Sequence, residues 1–296
     1  MRRIYCLAAT TMIALWAVGP TLIAQKQRQI FVSLTGANGT PVTDLQASEV
    51  SVTEDGAEGK VVKVEPVNWP TKIQVLVDNG RANTNPINGL RDGLKGLFEQ
   101  IPAGVEMSMY AIAGTPRPIV KPTTDKQKLL DGIGLIAPDN GAGMFFDALS
   151  EAAGRIAREK TPHFPIIVMV GSDFGTVRAS DPDFKKLQET ILTRAVTVHV
   201  ILMAGSGGTS GGGAQTDIGL AVTRISGGRF ENINANTRLA TLLPEWGKKI
   251  AESEARQSHQ FRVTYDRPAN AKEQASIGAT VRHDGTAMIS LDGHLP

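Results

Sequence analysis

The apolar run IQVLVD (residues 73–78) ends on one carboxylate and gives way to small polar residues, NGRANTN (79–85). A strand that delivers an acidic side chain to the top of a sheet can place an oxygen ligand for a hard divalent cation. Asp78 is the first residue here whose type and setting could do that. A second apolar run, PIIVMVG (165–171), ends with Ser172 and Asp173, a hydroxyl and a carboxylate in a similar position. Asn79, Asn83, Thr84, Asp139 and Asn140 supply further oxygens in loops expected at the same end of the sheet.

Other chemistries find no constellation. The nearest stretch to a nucleophile elbow, Gly171-Ser172-Asp173-Phe174-Gly175, has its serine one place early. No H-E-x-x-H occurs, and the five histidines are scattered. His199 sits inside the run VTVHVILMA (196–204) and reads as a core residue. His163 precedes a strand, and His259, His283 and His294 lie far along the chain. The glycine-rich stretch GSGGTSGGG (205–213) has neither the lysine of a phosphate loop nor the G-x-G-x-x-G spacing, and reads as a surface loop. Asp181 and Asp183 fit a turn and helix start.

The elements that must position these residues fall into three regions. Residues 25–68 read as β structure: QIFVSLTG alternates, as does EVSVTE, and Asn38-Gly39 and Asp55-Gly56 are turn signals. Residues 69–257 alternate short apolar strands with amphipathic helices. Phe145, Leu149, Ala152, Ala153 and Ile156 share one helix face. Phe184, Leu187, Ile191 and Ala195 share a second, and Leu239, Leu242, Leu243, Trp246 and Ile250 a third. This pattern predicts a doubly wound, mostly parallel α/β sheet covered on both sides. Residues 258–296 return to β, with HQFRVTYD alternating and Asp284-Gly285 marking a hairpin. The two flanking segments are expected to pack together as one small β-sandwich, with the α/β domain inserted between them.

The first 24 residues stand apart. Arg2 and Arg3 precede an apolar run from Ile4 to Val18, broken by Gly19-Pro20 and ending on the small Ala24, which reads as a secretory signal peptide. Its cleavage removes the sole cysteine, Cys6, so the exported chain is expected to hold no disulfide and no thiolate site. The full chain has 296 residues and a formal charge of +2. Loss of Arg2 and Arg3 leaves a neutral protein, with no electrostatic footprint for nucleic acid and no span left in a membrane.

Residues 70–255 resemble a von Willebrand factor A domain. The features are IQVLVDN at the first strand, GAGMFFDALSEAAGRI in mid-chain, IIVMVGSD, and DIGLAVTRISGGRFENI. The layout, with GTPVTDLQASEVSVTEDG before the domain and a β tail after it, is similar to a secreted, notably acidobacterial, group related to that family. The resemblance implies a metal-ion-dependent adhesion site built from Asp-x-Ser-x-Ser, a Thr from a second loop and an Asp from a third. Asp78 matches the first position. Gly80 and Ala82 stand at the two serines, Gly143 at the threonine and Gly171 at the last aspartate, so four of five positions have lost their oxygen.

The expected function is a secreted or periplasmic, non-enzymatic protein-binding module that works without a metal or other cofactor. Its binding face would be the loops carrying Asn79, Gly80, Arg81, Gly143, Gly171 and Ser172, with Arg117 and Arg178 nearby. Two alternatives stay open: a metal-dependent binder in which Asp78 and Asp173 hold Mg²⁺ in a rearranged site, and a secreted α/β enzyme whose catalytic residues cannot be named. The first predicts stabilisation by a divalent cation, the second a deep cleft with a perturbed titratable pair.

Overall fold

The computed structural model describes residues 27–291, except for 38, 81–86, 174–176, 178 and 205–212. The expected leader, Ala82, Arg81, Asn83, Thr84, Arg178, most of the glycine-rich loop and His294 therefore lie outside the described residues.

The central sheet contains β4 (Thr71–Val77), β5 (Glu106–Ala111), β6 (Arg117–Thr123), β7 (Phe164–Ser172), β8 (Thr197–Met203) and β9 (Phe230–Ile233), in the order β6-β5-β4-β7-β8-β9. All neighbours are parallel except the edge pair β5–β6. Alternate residues of β7 enter different cores. Val168 and Val170 pack beneath α1 (Ile87–Gln100) and α6 (Leu239–Gln257), while Ile167 and Met169 pack beneath α3 (Phe145–Arg158) and α4 (Asp181–Thr193). Helices α2 (Lys126–Gly134) and α5 (Ala214–Ser226) complete the two layers. The expected apolar faces of α3 and α6 are buried. On α4 the face ends sooner than expected: Ala195 lies beyond the helix in a left-handed turn, φ 49°.

Helix α1 has no counterpart in the sequence-based expectation. Its glycines depress helix propensity, but they let α6 approach closely. A Cβ on Gly93 would lie 2.5 Å from Leu239 O, and one on Gly96 would lie 2.3 Å from Pro244 Cγ.

The flanking segments give six antiparallel strands: β1 (Gln27–Thr35), β2 (Val50–Glu54), β3 (Ala57–Pro66), β10 (Gln260–Asp266), β11 (Ile277–Val281) and β12 (Thr286–Ser290). They interleave as β11-β2-β3-β10-β1-β12. The Asp55-Gly56 turn joins paired strands as expected. The 284–285 turn does not, because β11 and β12 lie at opposite ends of the order. In a flat sheet those edges would be about 24 Å apart, but residues 282–285 can bridge at most about 18 Å. The sheet must therefore curl until its edges approach, and β11 and β12 do touch. The two flanking segments thus pack together as expected, and the curled strands enclose Ile30, Val32, Val52, Phe261, Val263 and Tyr265.

One end of this roll is closed by a buried carboxylate. Glu54 accepts hydrogen bonds from Tyr265 Oη at 2.6 Å, Arg267 Nη2 at 2.8 Å and Arg28 Nη1 at 3.3 Å. The Arg267 guanidinium beside it holds Glu54 below the usual carboxylate range. Burial, with Glu54 as neighbour, pushes Tyr265 up to about 12. The outer face of β1 meets the α/β domain through Trp69, whose ring packs 5.6 Å from Phe31 and 5.4 Å from Phe164.

Candidate functional site

The strand order reverses between β4 and β7, and in such sheets ligands bind where the loops part beyond the carboxyl ends. Asp78 stands at this point, its N–H bonded to Val170 O at 2.8 Å. Its side chain is only 2% exposed with the residue as a whole. Oδ2 accepts from Ser172 Oγ at 2.7 Å and Oδ1 from Gly80 N at 2.8 Å. Burial raises its pKa, and the hydrogen bonds from Ser172 and Gly80 partly offset that.

Three loops close over this carboxylate. Residues 142–144 pair back onto the end of β5: Gly114 N donates to Ala142 O at 2.9 Å and Met144 N to Ile112 O at 2.9 Å. Asn79 bonds the third side, donating from Nδ2 to Ala137 O at 2.7 Å and receiving Ala113 N on Oδ1 at 3.4 Å. Asp139 turns its own loop by accepting from Gly141 N at 2.8 Å, and its other oxygen meets Arg117 at 3.4 Å. The glycines make the closure possible. A Cβ on Gly143 would lie 2.3 Å from Asp78 Oδ2, and one on Gly80 would lie 2.6 Å from Gly141 O.

Two expectations need correction. Gly171 does not face Asp78: a Cβ there would point at the Phe145 ring, 3.1 Å away, and at Leu202, 3.3 Å away. Ser172 is the third-loop residue that meets Asp78, one position later than expected. The signal was present in the sequence, since the β7 alternation puts residue 171 in the row of Ile167 and Met169. Five of the six residues of the expected binding face also lie beneath the surface, and Arg81 is outside the described residues. Asn79, Gly80, Gly143, Gly171 and Ser172 are all buried, with Gly80 and Ser172 bonded to Asp78 and Asn79 bonded to Ala137 and Ala113. Among the described residues, the exposed rim at this end includes Thr115, Arg117, Pro138 and Asn140. Asp173 extends the β7–β8 ladder, its N–H donating to Met203 O at 3.0 Å.

A divalent cation of the Mg²⁺ type needs about six oxygens in fixed geometry. The described residues at this end do not fit one. Both Asp78 oxygens already accept hydrogen bonds, positions 80 and 143 carry no side-chain oxygen, and the Asp78 carboxylate occupies the space a threonine at 143 would need. Among the described residues no group of three or more His, Cys, Asp or Glu side chains is arranged to hold a metal ion.

No family model matches the chain. No curated protein matches it either. Solved structures do. A von Willebrand factor type A protein from Catenulispora acidiphila superposes with a TM-score of 0.53 over 90% of this chain and 75% of its own, at 10% identity. The chain has the von Willebrand factor A fold. Two further structures with this fold resemble it over a shorter stretch. The SpRpn10 VWA domain covers 58% of this chain and 95% of its own at 14% identity, TM-score 0.46. BatB from Bacteroides thetaiotaomicron covers 61% and 98% at 11% identity, TM-score 0.46. Within the von Willebrand factor A fold, the closed Asp78 loops occupy the position where the resemblance implies a metal site.

Proposed function

We propose that this chain is an exported, non-catalytic protein-binding module of von Willebrand factor A type that engages its partner without a divalent cation. The observation that carries this reading is the state of Asp78. It is held by Ser172 and Gly80, with the loop of Gly143 packed against it. A residue bonded this way supports the loops from beneath and leaves the exposed rim around Arg117, Pro138 and Asn140 to meet a partner. The N-terminal leader read from the sequence supports export. The neutral charge that remains after its removal argues against nucleic acid as the partner.

Three of the five histidines are engaged in local contacts, which supports a non-catalytic role. His163 Nδ1 lies 2.8 Å from Thr161 O, His259 Nδ1 caps the end of α6 at 2.8 Å from Ala255 O, and His283 pairs with Glu49 at 3.1 Å. Each serves a local turn or strand contact. No helix of the described residues is long and apolar enough to cross a membrane.

The test is capture of partners on the immobilised protein from periplasmic and secreted fractions of the native cell, once with EDTA and once with millimolar Mg²⁺. The proposal expects the same protein in both eluates, lost on Arg117→Glu. A partner retained only with Mg²⁺ contradicts metal independence, and the absence of any specific partner contradicts the binding role.

A further inference from the structure

The opposite end of the same sheet is built differently. At the amino ends of β7 and β8, α6 and the last turn of α5 wall a cleft of about 470 Å³. Its apolar surface comes from Ile166, Val196, Trp246 and Ile250. Three polar residues lining it have hydrogen-bonding capacity that no protein group uses.

Gln257 is 3% exposed, and its Oε1 has no hydrogen-bond partner. Arg256 Nε is buried and also without one. A buried donor or acceptor left unpaired is destabilising, so two in one cleft call for an explanation. His199 is the third. The Arg229 backbone N–H lies 3.1 Å from its Nδ1. A backbone N–H can only donate, so Nδ1 is the bare nitrogen and Nε2 carries the proton. The ring packs 5.6 Å from Trp246 and presents that donor on the cleft lining. Burial, with the Arg229 charge nearby, brings its pKa down to about 4, so the ring is neutral at ordinary pH. Three cations line the cleft, Arg229, Lys249 and Arg256, against one acidic residue, Glu252. Among the described residues none of the three cations is ion-paired.

We propose that this cleft binds a small organic acid: a carboxylate taken by Arg256, the rim cations and His199 Nε2–H, an apolar body laid against Trp246 and Ile250, and a hydroxyl or amine donating to Gln257 Oε1. The donors are charged or neutral N–H groups, which suit a carboxylate. The apolar wall asks for more than an inorganic anion, and the lone acceptor asks for a donor on the ligand. A hydroxy or amino acid with an aromatic or branched body meets all three demands. The site is separate from the Asp78 end and does not depend on how that end works.

The experiment is calorimetric titration of the full exported chain with phenyllactate, using inorganic phosphate and uncharged phenylethanol as comparison probes. The expected result is phenyllactate binding with a dissociation constant below about 1 mM, with phosphate and phenylethanol each at least about tenfold weaker. Lys249→Ala, on the exposed rim, weakens phenyllactate about threefold without touching the fold, and Arg256→Gln weakens it about tenfold or more. Arg117→Ala, at the other end of the sheet, leaves it unchanged. Absence of phenyllactate binding at millimolar concentration overturns the proposal. So does binding that survives both Lys249→Ala and Arg256→Gln, or phosphate binding as tightly as phenyllactate.

Discussion

The two ends of β7 lie about 26 Å apart and are finished differently. At the carboxyl end Asp78, Ser172, Asn79 and Asp139 bond one another and the loop amides, and glycines let the loops close on them. At the amino end Gln257 Oε1 and Arg256 Nε are buried without partners beside an open cleft. The rule that open α/β sheets bind ligands at their carboxyl ends describes what loops there usually offer. Where those loops satisfy each other, the topology remains and the site closes. What sets the amino end apart is an open cleft beside its unpaired polar atoms, and that cleft is the proposed site.

The two ends also titrate with opposite sign. His199 has a folded pKa of about 4, below its ordinary value of 6.5. The unfolded chain therefore binds the extra proton first, and stability is lost as pH falls from about 6.5 to about 4. The expected loss is about 3 kcal/mol, read by urea unfolding at pH 7 and pH 4.5, and His199→Gln should abolish most of it. A flat pH profile in the wild type would remove the claim that the amino end holds a neutral imidazole.

At the carboxyl end, Gly143→Thr restores the residue type implied by the family resemblance. Because a Cβ there meets the Asp78 carboxylate at 2.3 Å, it should destabilise by about 1–3 kcal/mol and gain no response to Mg²⁺. A stable, Mg²⁺-responsive variant would show that the closed loops open easily. Asp78 has its pKa raised in the folded state by burial. The native state takes up that proton while the unfolded chain is still ionised, so this group adds stability as pH falls through the window just above the ordinary aspartate value. Wild type should accordingly gain on Asp78→Asn as the pH is lowered through that window, the reverse of the His199 comparison. The smallest effect belongs to Arg117→Ala. Its ion pair with Asp139 is half exposed, so stability should change by less than about 0.5 kcal/mol, while partner capture should weaken.

Much of the fold was legible because its signals are local. The strand runs, the faces of α3 and α6 and the Asp55-Gly56 turn each follow from periodicity or turn chemistry within a dozen residues. Helix α1 was hidden because glycines that weaken a helix in isolation are there for contact with α6, which is far away in sequence. The curled sheet was hidden because Asp284-Gly285 has the local form of a hairpin, and only the length of the connector against the width of six strands shows that the edges must approach. At the candidate site Asp78 was legible as the pivotal residue. Its bond to Ser172 was missed by one residue, and the cleft lined by Gln257, Arg256 and His199 carried no motif at all. Those residues become a group only when α6 is laid across the start of β8.

Thermal unfolding of residues 25–296 with EDTA, and then with millimolar Mg²⁺, Mn²⁺ or Ca²⁺, tests the central claim most directly. A cation at 100 times its dissociation constant would add about 2.7 kcal/mol, a rise of several degrees in Tm. With Asp78 bonded to Ser172 and Gly80, the expected result is the same Tm under all four conditions. A rise of several degrees with a divalent cation, abolished by Asp78→Asn, would contradict it and return the carboxyl end to the role of a metal site.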